Sequence, residues 1–209
     1  MVLLGETINQ VNKQWSIVLA SQSPRRKEMI TSLGLHFSTC ASPYDEKSLS
    51  WREFDSVQAY VSHNAKSKVM AVVEASSFDE RTLVIGSDTI VVHDGVVLEK
   101  PTSEANALAT LTALAGNTHQ VMTSVFIWTQ AATRAFVSTT EVTFISATED
   151  DLLAYIATGE PMDKAGSYGI QGLGGLLVEG ISGDYQTVVG LPLRRVCEAI
   201  EDIHMQYGT

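Results

Sequence analysis

The chain has 209 residues, of which 44% are hydrophobic and 18% charged, and a formal net charge of −10. That size suits one large domain or two small ones around a substantial core, and the composition is that of an ordered globular protein. The acidic balance argues against a nucleic-acid polymer or an anionic membrane as partner, because both need a broad basic face. It leaves room for a small polyphosphate, which asks only for a few local cations and a metal held by carboxylates. No apolar run approaches the ~18 residues of a membrane span. The opening MVLLGETINQ lacks the basic region and the apolar length of a signal peptide. Cys40 and Cys197 have no paired spacing and read as buried, reduced thiols of an intracellular, cytoplasmic protein.

In chain order, residues 1–14 read as a polar lead-in. Ile17–Leu19 is a short apolar strand, Ser21–Ser23 a tight turn, and Pro24–Leu33 a helix with Ser23 as N-cap and Gly34 as its stop. His36–Cys40 reads as a second strand, followed by a turn that carries Asp45 and Glu46. Asp55 is placed to cap a long helix over residues 56–75. Its apolar stripe is Val57, Val61, Ala65, Val69 and Val72, with Lys66 and Lys68 off it. Thr82–Val92 is the strongest strand signal, although Gly-Ser-Asp-Thr interrupts it. His93-Asp94-Gly95 turns it into a hairpin with Val96–Leu98. Ser103 caps a helix with Leu108, Leu111 and Leu114 inward. Val121–Thr129 and Ala135–Ile145 read as antiparallel neighbours. Thr148 opens a helix with Leu152, Leu153 and Ile156 inward. The glycine-dense run 160–192 reads as site-lining loops around one strand, Leu176–Ile181, before a final helix over 192–207.

Two features carry chemistry. Arg25 and Arg26 sit in the first turn of a helix, where the partial positive charge of the terminus disfavours cations by roughly 0.3–1 kcal/mol each. Either they are solvated, or they join Ser21 and free backbone N–H groups in an anion site. Asp88 lies in mid-strand among apolar residues, where an ionised group is costly unless paired. It is either a bulge residue bonded to backbone, or a metal ligand or general base. Glu99 and Lys100 follow the hairpin as a surface ion pair or as neighbours of Asp88, and Asp45 and Glu46 are a solvated turn or part of a hard-cation site. The histidines show no HExxH motif or close pair, so zinc is not expected, and GxSxG and GxxxxGK[ST] are absent.

The stretches LASQSPRRKEM, YDE at 44–46, IGSDTIVVHDGVVLEKP, GNTHQVMTSV, GEPMDKAGSYGIQGLGGLLVEGISGDY and VVGLPL run in order from Ile17 to Leu193. Together they resemble the Maf family of nucleoside triphosphate pyrophosphatases. The resemblance implies an α/β, ITPase-like fold over residues 15–209, with an elongated mixed sheet flanked by helices, two lobes with a cleft between them, and often a homodimer. It implies house-cleaning hydrolysis of a nucleoside triphosphate to the monophosphate and pyrophosphate, with Mg2+ or Mn2+.

By the same resemblance, Ser21, Arg25 and Arg26 match the phosphate-gripping loop. Glu46 matches an acid linked to metal and substrate, Lys68 the lysine of the long helix, and Asp88 the residue assigned as proton acceptor; the metal would be held by Glu46, Asp88 or both. Lys100 and Gln171 match the lysine of LEKP and the glutamine of GIQG, and Arg25, Thr89 and Gln171 fall on positions tied to substrate choice. The combination looks like the members that prefer dTTP and UTP, modified pyrimidine nucleotides included. Ser87 departs from the pattern, standing where alanine is common. Other readings are a 7-methyl-GTP-preferring pyrophosphatase, a phosphatase that removes only the terminal phosphate, and a non-catalytic nucleotide-binding regulator of cell division.

Overall fold

A computed structural model describes residues 5–46 and 48–208. The chain folds as two units. Met1–Asp88, Ser124–Val137 and Gly190–Thr209 make the first, and Thr89–Thr123 with Ser138–Val189 the second.

In the first unit, part of the stretch read as a lead-in is a helix, α1 (Glu6–Gln14), with Val11 buried. It docks through Asn12, whose side-chain amide donates to the Gly34 carbonyl at 2.9 Å and whose oxygen accepts from the His36 N–H at 2.8 Å. β1 (Ser16–Leu19) follows, buried from Ile17 onward. Next is α2 (Pro24–Ser32), which starts at the Ser23 cap and ends just before Gly34, at φ +75°. β2 (Phe37–Thr39) lies parallel to β1.

α3 (Val57–Glu74) is capped by Ser56, not by Asp55; the Ser56 hydroxyl accepts from the Ala59 N–H at 3.1 Å. β3 (Thr82–His93) pairs parallel with β1 on the other side, Leu83 opposite Ile17. It runs straight through Gly-Ser-Asp-Thr. Gly86 is there for closeness: a Cβ on it would stand 2.5 Å from the Val69 side chain of α3. Val18, Ala20, Ala65, Val69, Val72 and Val84, joined by Phe126 from later in the chain, form a core of this unit.

In the second unit, Asp94 (φ 49°) and Gly95 (φ 76°) turn β3 into β4 (Val96–Leu98), with Val92 opposite Val97. α4 (Glu104–Leu114) buries Leu111 and Leu114, while Leu108 is half-buried. β5 (Thr118–Trp128) and β6 (Thr133–Phe144), each with residues in both units, are neighbours in the sheet, as the strand signals suggested. α5 (Glu149–Ile156) carries a Thr148–Asp151 capping box. It buries Leu152 and Ile156, but Leu153 is 44% exposed and does not join the core.

Short 3-10 turns fill 160–177, and the strand expected from Leu176 begins two residues later as β7 (Val178–Ser182), antiparallel to β6. α6 (Tyr185–Val189) falls within the run expected to be loop. Asp184 nucleates it, its carboxylate accepting from the N–H groups of Gln186 and Thr187.

α7 (Leu193–Tyr207) closes the chain in the first unit, burying Val196, Ile200 and Ile203. Among the described residues the strands run in the order β2-β1-β3-β5-β6-β7 with β4 on β3, a mixed sheet in an α/β fold. Among the described residues no helix is long and apolar enough to cross a membrane. Cys197 is buried, and burial followed by the charges of Glu198 and Glu201 pushes its thiol up to about 11. Cys40 is half-buried, not buried as expected.

Candidate active site

The turn after β1 is tightly self-bonded. The Ser21 hydroxyl accepts from the Ser23 N–H at 3.2 Å, and the Ser23 hydroxyl accepts from the Arg26 N–H at 3.4 Å. Pro24 has no N–H to offer. The cradle of free backbone donors expected at this helix start is therefore largely taken up by its own serine cap.

Arg26 is half-buried and held from one side: its Nε donates to the Gly190 carbonyl at 3.0 Å, and the Ser87 hydroxyl donates to the same oxygen at 3.2 Å. Ser87, the departure from the family pattern, is thus fully buried and satisfied. Burial lowers the proton affinity of the Arg26 guanidinium, the charges of Asp88 and Glu46 work to restore it, and Arg25 works against it. Arg26 is tolerable at a helix N-terminus partly because these two carboxylates offset its charge.

Asp88 lies on β3, 6% exposed. Its Oδ1 accepts from Lys68 Nζ at 2.6 Å and its Oδ2 from the Asn64 side-chain amide at 3.1 Å. Lys68 Nζ also reaches Glu46 Oε1, at 2.9 Å. The lysine read as lying off the apolar stripe is on the buried face of α3, 7% exposed. Asn64 stands one turn earlier on the same face and in turn accepts from the Tyr44 hydroxyl at 3.2 Å. Neither Asn64 nor Tyr44 was singled out from the sequence. Spacing held the signal: 61, 64, 65, 68, 69 and 72 form one continuous helical face, so polar residues at 64 and 68 interrupt an apolar stripe.

Six expected site residues thus belong to the first unit: Ser21, Arg25, Arg26, Glu46, Lys68 and Asp88. Thr89, Lys100 and Gln171 belong to the second. Thr89 Oγ1 meets Thr123 Oγ1 at 2.9 Å, and Thr123 donates to the Thr187 carbonyl at 2.7 Å. Glu99 and Lys100 are exposed just beyond β4, where the Glu99 carbonyl accepts from the Gly166 N–H at 3.3 Å.

Gln171 is exposed on a loop anchored by Glu160. That carboxylate accepts from the Leu173 and Gly174 N–H groups at 2.9 and 3.0 Å and from the Tyr155 hydroxyl at 2.9 Å. Burial works to raise its pKa, but these bonds and the charge of Lys164 outweigh it and hold the carboxyl below its ordinary value.

Among the described residues, no three or more His, Cys, Asp or Glu side chains gather to hold a metal. Glu46 and Asp88, joined through Lys68, supply two hard oxygen donors. That set suits magnesium or manganese of the kind that takes one or two carboxylates and completes its shell with substrate phosphates and water.

Two arginines at a helix start, a buried carboxylate on a strand of a parallel pair, and a lysine that this carboxylate shares with a second acid characterise this mixed α/β protein. The chain belongs to the Maf family, whose model, described as Maf-like protein, matches residues 16–203. It is similar to a dTTP/UTP pyrophosphatase of Colwellia psychrerythraea, 42% identical over 95% of this chain and 93% of that protein. A dTTP/UTP pyrophosphatase of Shewanella denitrificans is 46% identical over 84% of this chain and 90% of its own. Another, from Bacillus cereus, is 41% identical over 90% and 96%.

Proposed function

We propose that this protein hydrolyses nucleoside triphosphates, dTTP and UTP foremost, to the monophosphate and pyrophosphate. The observation that carries the reading is Asp88, a buried carboxylate oriented on both oxygens and sharing a lysine with a second acid. The names of relatives at 41–46% identity over most of the chain support it.

In this mechanism Arg25, Arg26, Lys68 and Lys100 neutralise the triphosphate. Each Asp88 oxygen keeps a lone pair beyond the bond it already accepts. Asp88 therefore orients a water and accepts its proton as the water attacks in line with the departing pyrophosphate. Ser21 fixes the turn that presents the arginines. Arg25, Thr89 and Gln171 select the base, an amide such as Gln171 being able both to donate and to accept at a pyrimidine edge. Glu46 and Asp88 would hold Mg2+ or Mn2+, which supplies charge neutralisation and a more acidic water when bound. A cytoplasmic, house-cleaning role and a homodimer complete the reading.

A panel of canonical and modified triphosphates, incubated with Mg2+ or Mn2+ and scored for product, tests it. dTTP and UTP turning over fastest with release of pyrophosphate agrees with the proposal. Preference for 7-methyl-GTP, or release of orthophosphate, contradicts it.

A further inference from the structure

The carboxylate of Asp88 is gripped twice, and both grips lead to one short loop. On one side Glu46 and Asp88 Oδ1 share Lys68 Nζ, at 2.9 and 2.6 Å. On the other, the Tyr44 hydroxyl donates to Asn64 Oδ1 at 3.2 Å, and the Asn64 amide donates to Asp88 Oδ2 at 3.1 Å. The two middle residues are one helical turn apart on α3, and the two outer ones are two residues apart in the loop. Both chains of contacts therefore run in parallel from the Tyr44–Glu46 loop through α3 to the strand.

Asn64 is 2% exposed. A buried amide is costly unless its groups are paired. Its oxygen and its nitrogen each have one partner here, and the nitrogen's partner is Asp88. An apolar side chain would complete the stripe of α3 at lower desolvation cost. What asparagine adds is a fixed direction for the second carboxylate oxygen.

Resting on the reading of Asp88 as proton acceptor, we propose that Asn64, braced by Tyr44, is a positioning residue for hydrolysis. Lys68 alone leaves the carboxylate free to rotate about its Oδ1 contact. With Asn64 on Oδ2, the plane of the carboxylate is set, and the lone pair that receives the proton of water points in one direction. Tyr44 ties that setting to the loop that carries Glu46, so the base and the second acid are placed together. Asn64 acts through Asp88, so its effect falls on the chemical step and not on substrate affinity.

The test is steady-state kinetics on dTTP with Mg2+ for Asn64→Leu, Tyr44→Phe, Asp88→Asn and the Asn64→Leu/Asp88→Asn double variant, each with its melting temperature. Asn64→Leu is expected to lower kcat by ~10- to 100-fold, the scale of a misplaced catalytic group, with KM within about twofold of wild type. Tyr44→Phe, which removes one hydroxyl, gives a smaller loss in the same direction. It keeps the question answerable should Asn64→Leu fold poorly. In the Asp88→Asn background Asn64→Leu is expected to cost nothing further, because the group it positions is gone.

Wild-type kcat in both Asn64→Leu and Tyr44→Phe, with Asp88→Asn inactive, overturns the positioning role and leaves the proposed function standing. So does an equal loss from Asn64→Leu whether or not Asp88 is present. Full turnover by Asp88→Asn overturns the role of Asp88 itself, and the positioning role with it.

Discussion

Lys68 Nζ stands 2.6 Å from Asp88 Oδ1, both side chains almost wholly buried, although the two residues belong to a helix and a strand twenty positions apart. A buried pair of this kind adds little net stability, but removing one partner leaves an uncompensated charge.

Lys68→Met should accordingly destabilise the fold by ~3–5 kcal/mol in urea titration, as Asp88 loses its cation. Adding Asp88→Asn to it should recover part of that loss. A double variant no more stable than Lys68→Met alone would mean that the cost arises from packing of the lysine stem, not from the stranded carboxylate.

Gly86→Ala tests how closely α3 lies on β3. The added methyl would stand 2.5 Å from Val69 Cγ2, inside the core, so the helix or the side chain has to move. Overpacking of this kind costs about 1–3 kcal/mol. Because Asn64 and Lys68 ride on the same helix, a fall in kcat beyond what the lost stability explains is also expected. Unchanged stability and turnover would show that Val69 repacks freely.

The second unit carries its own pH response. His119 is 2% exposed, meets the Tyr168 hydroxyl through Nε2 at 2.9 Å, and lies edge-on to Phe144. Burial, followed by the charge of His93, depresses its pKa from 6.5 to about 4. The folded protein thus binds fewer protons than the unfolded chain between those values, so stability is fully present above pH ~6.5 and is lost as pH falls toward ~4. The loss is on the order of 3 kcal/mol at one proton per molecule. His119→Phe, which keeps the ring packing, should flatten the urea midpoint across pH 4–6.5 by about one proton's worth. An unchanged slope would assign the acid sensitivity to other groups.

Much of this was legible in the sequence. Ser23, Pro24 and Gly34 punctuate α2 as their backbone chemistry demands, and Asp94-Gly95 makes the hairpin. The misses have physical causes. α1 lies in a stretch whose polar composition masks a short apolar stripe, Ile8, Val11 and Trp15, and it docks through the buried Val11 as well as through the Asn12 hydrogen bonds. Leu153 was placed inward by spacing alone, and an eight-residue helix has room to bury only part of its apolar set.

The cation pair at 25–26 marks the candidate site and Ser23 reads as the cap from the sequence alone, but that its hydroxyl takes the Arg26 N–H, one of the donors expected to hold a phosphate, shows only in the structure. Gly86 looked like a break in β3 because its cause, the Val69 side chain, lies seventeen positions earlier on another element. Asn64 was overlooked for a related reason. A polar residue on an apolar face gains meaning only when the strand that places Asp88 opposite it is known.

The most direct single measurement is phosphorus NMR of dTTP turnover with Mg2+, with wild type and Asp88→Asn run side by side. The account predicts equal amounts of pyrophosphate and dTMP from the wild type, and a rate at least ~100-fold lower from the variant, the scale of a lost general base. Orthophosphate with dTDP as the products, or an Asp88→Asn variant as fast as wild type, would contradict it.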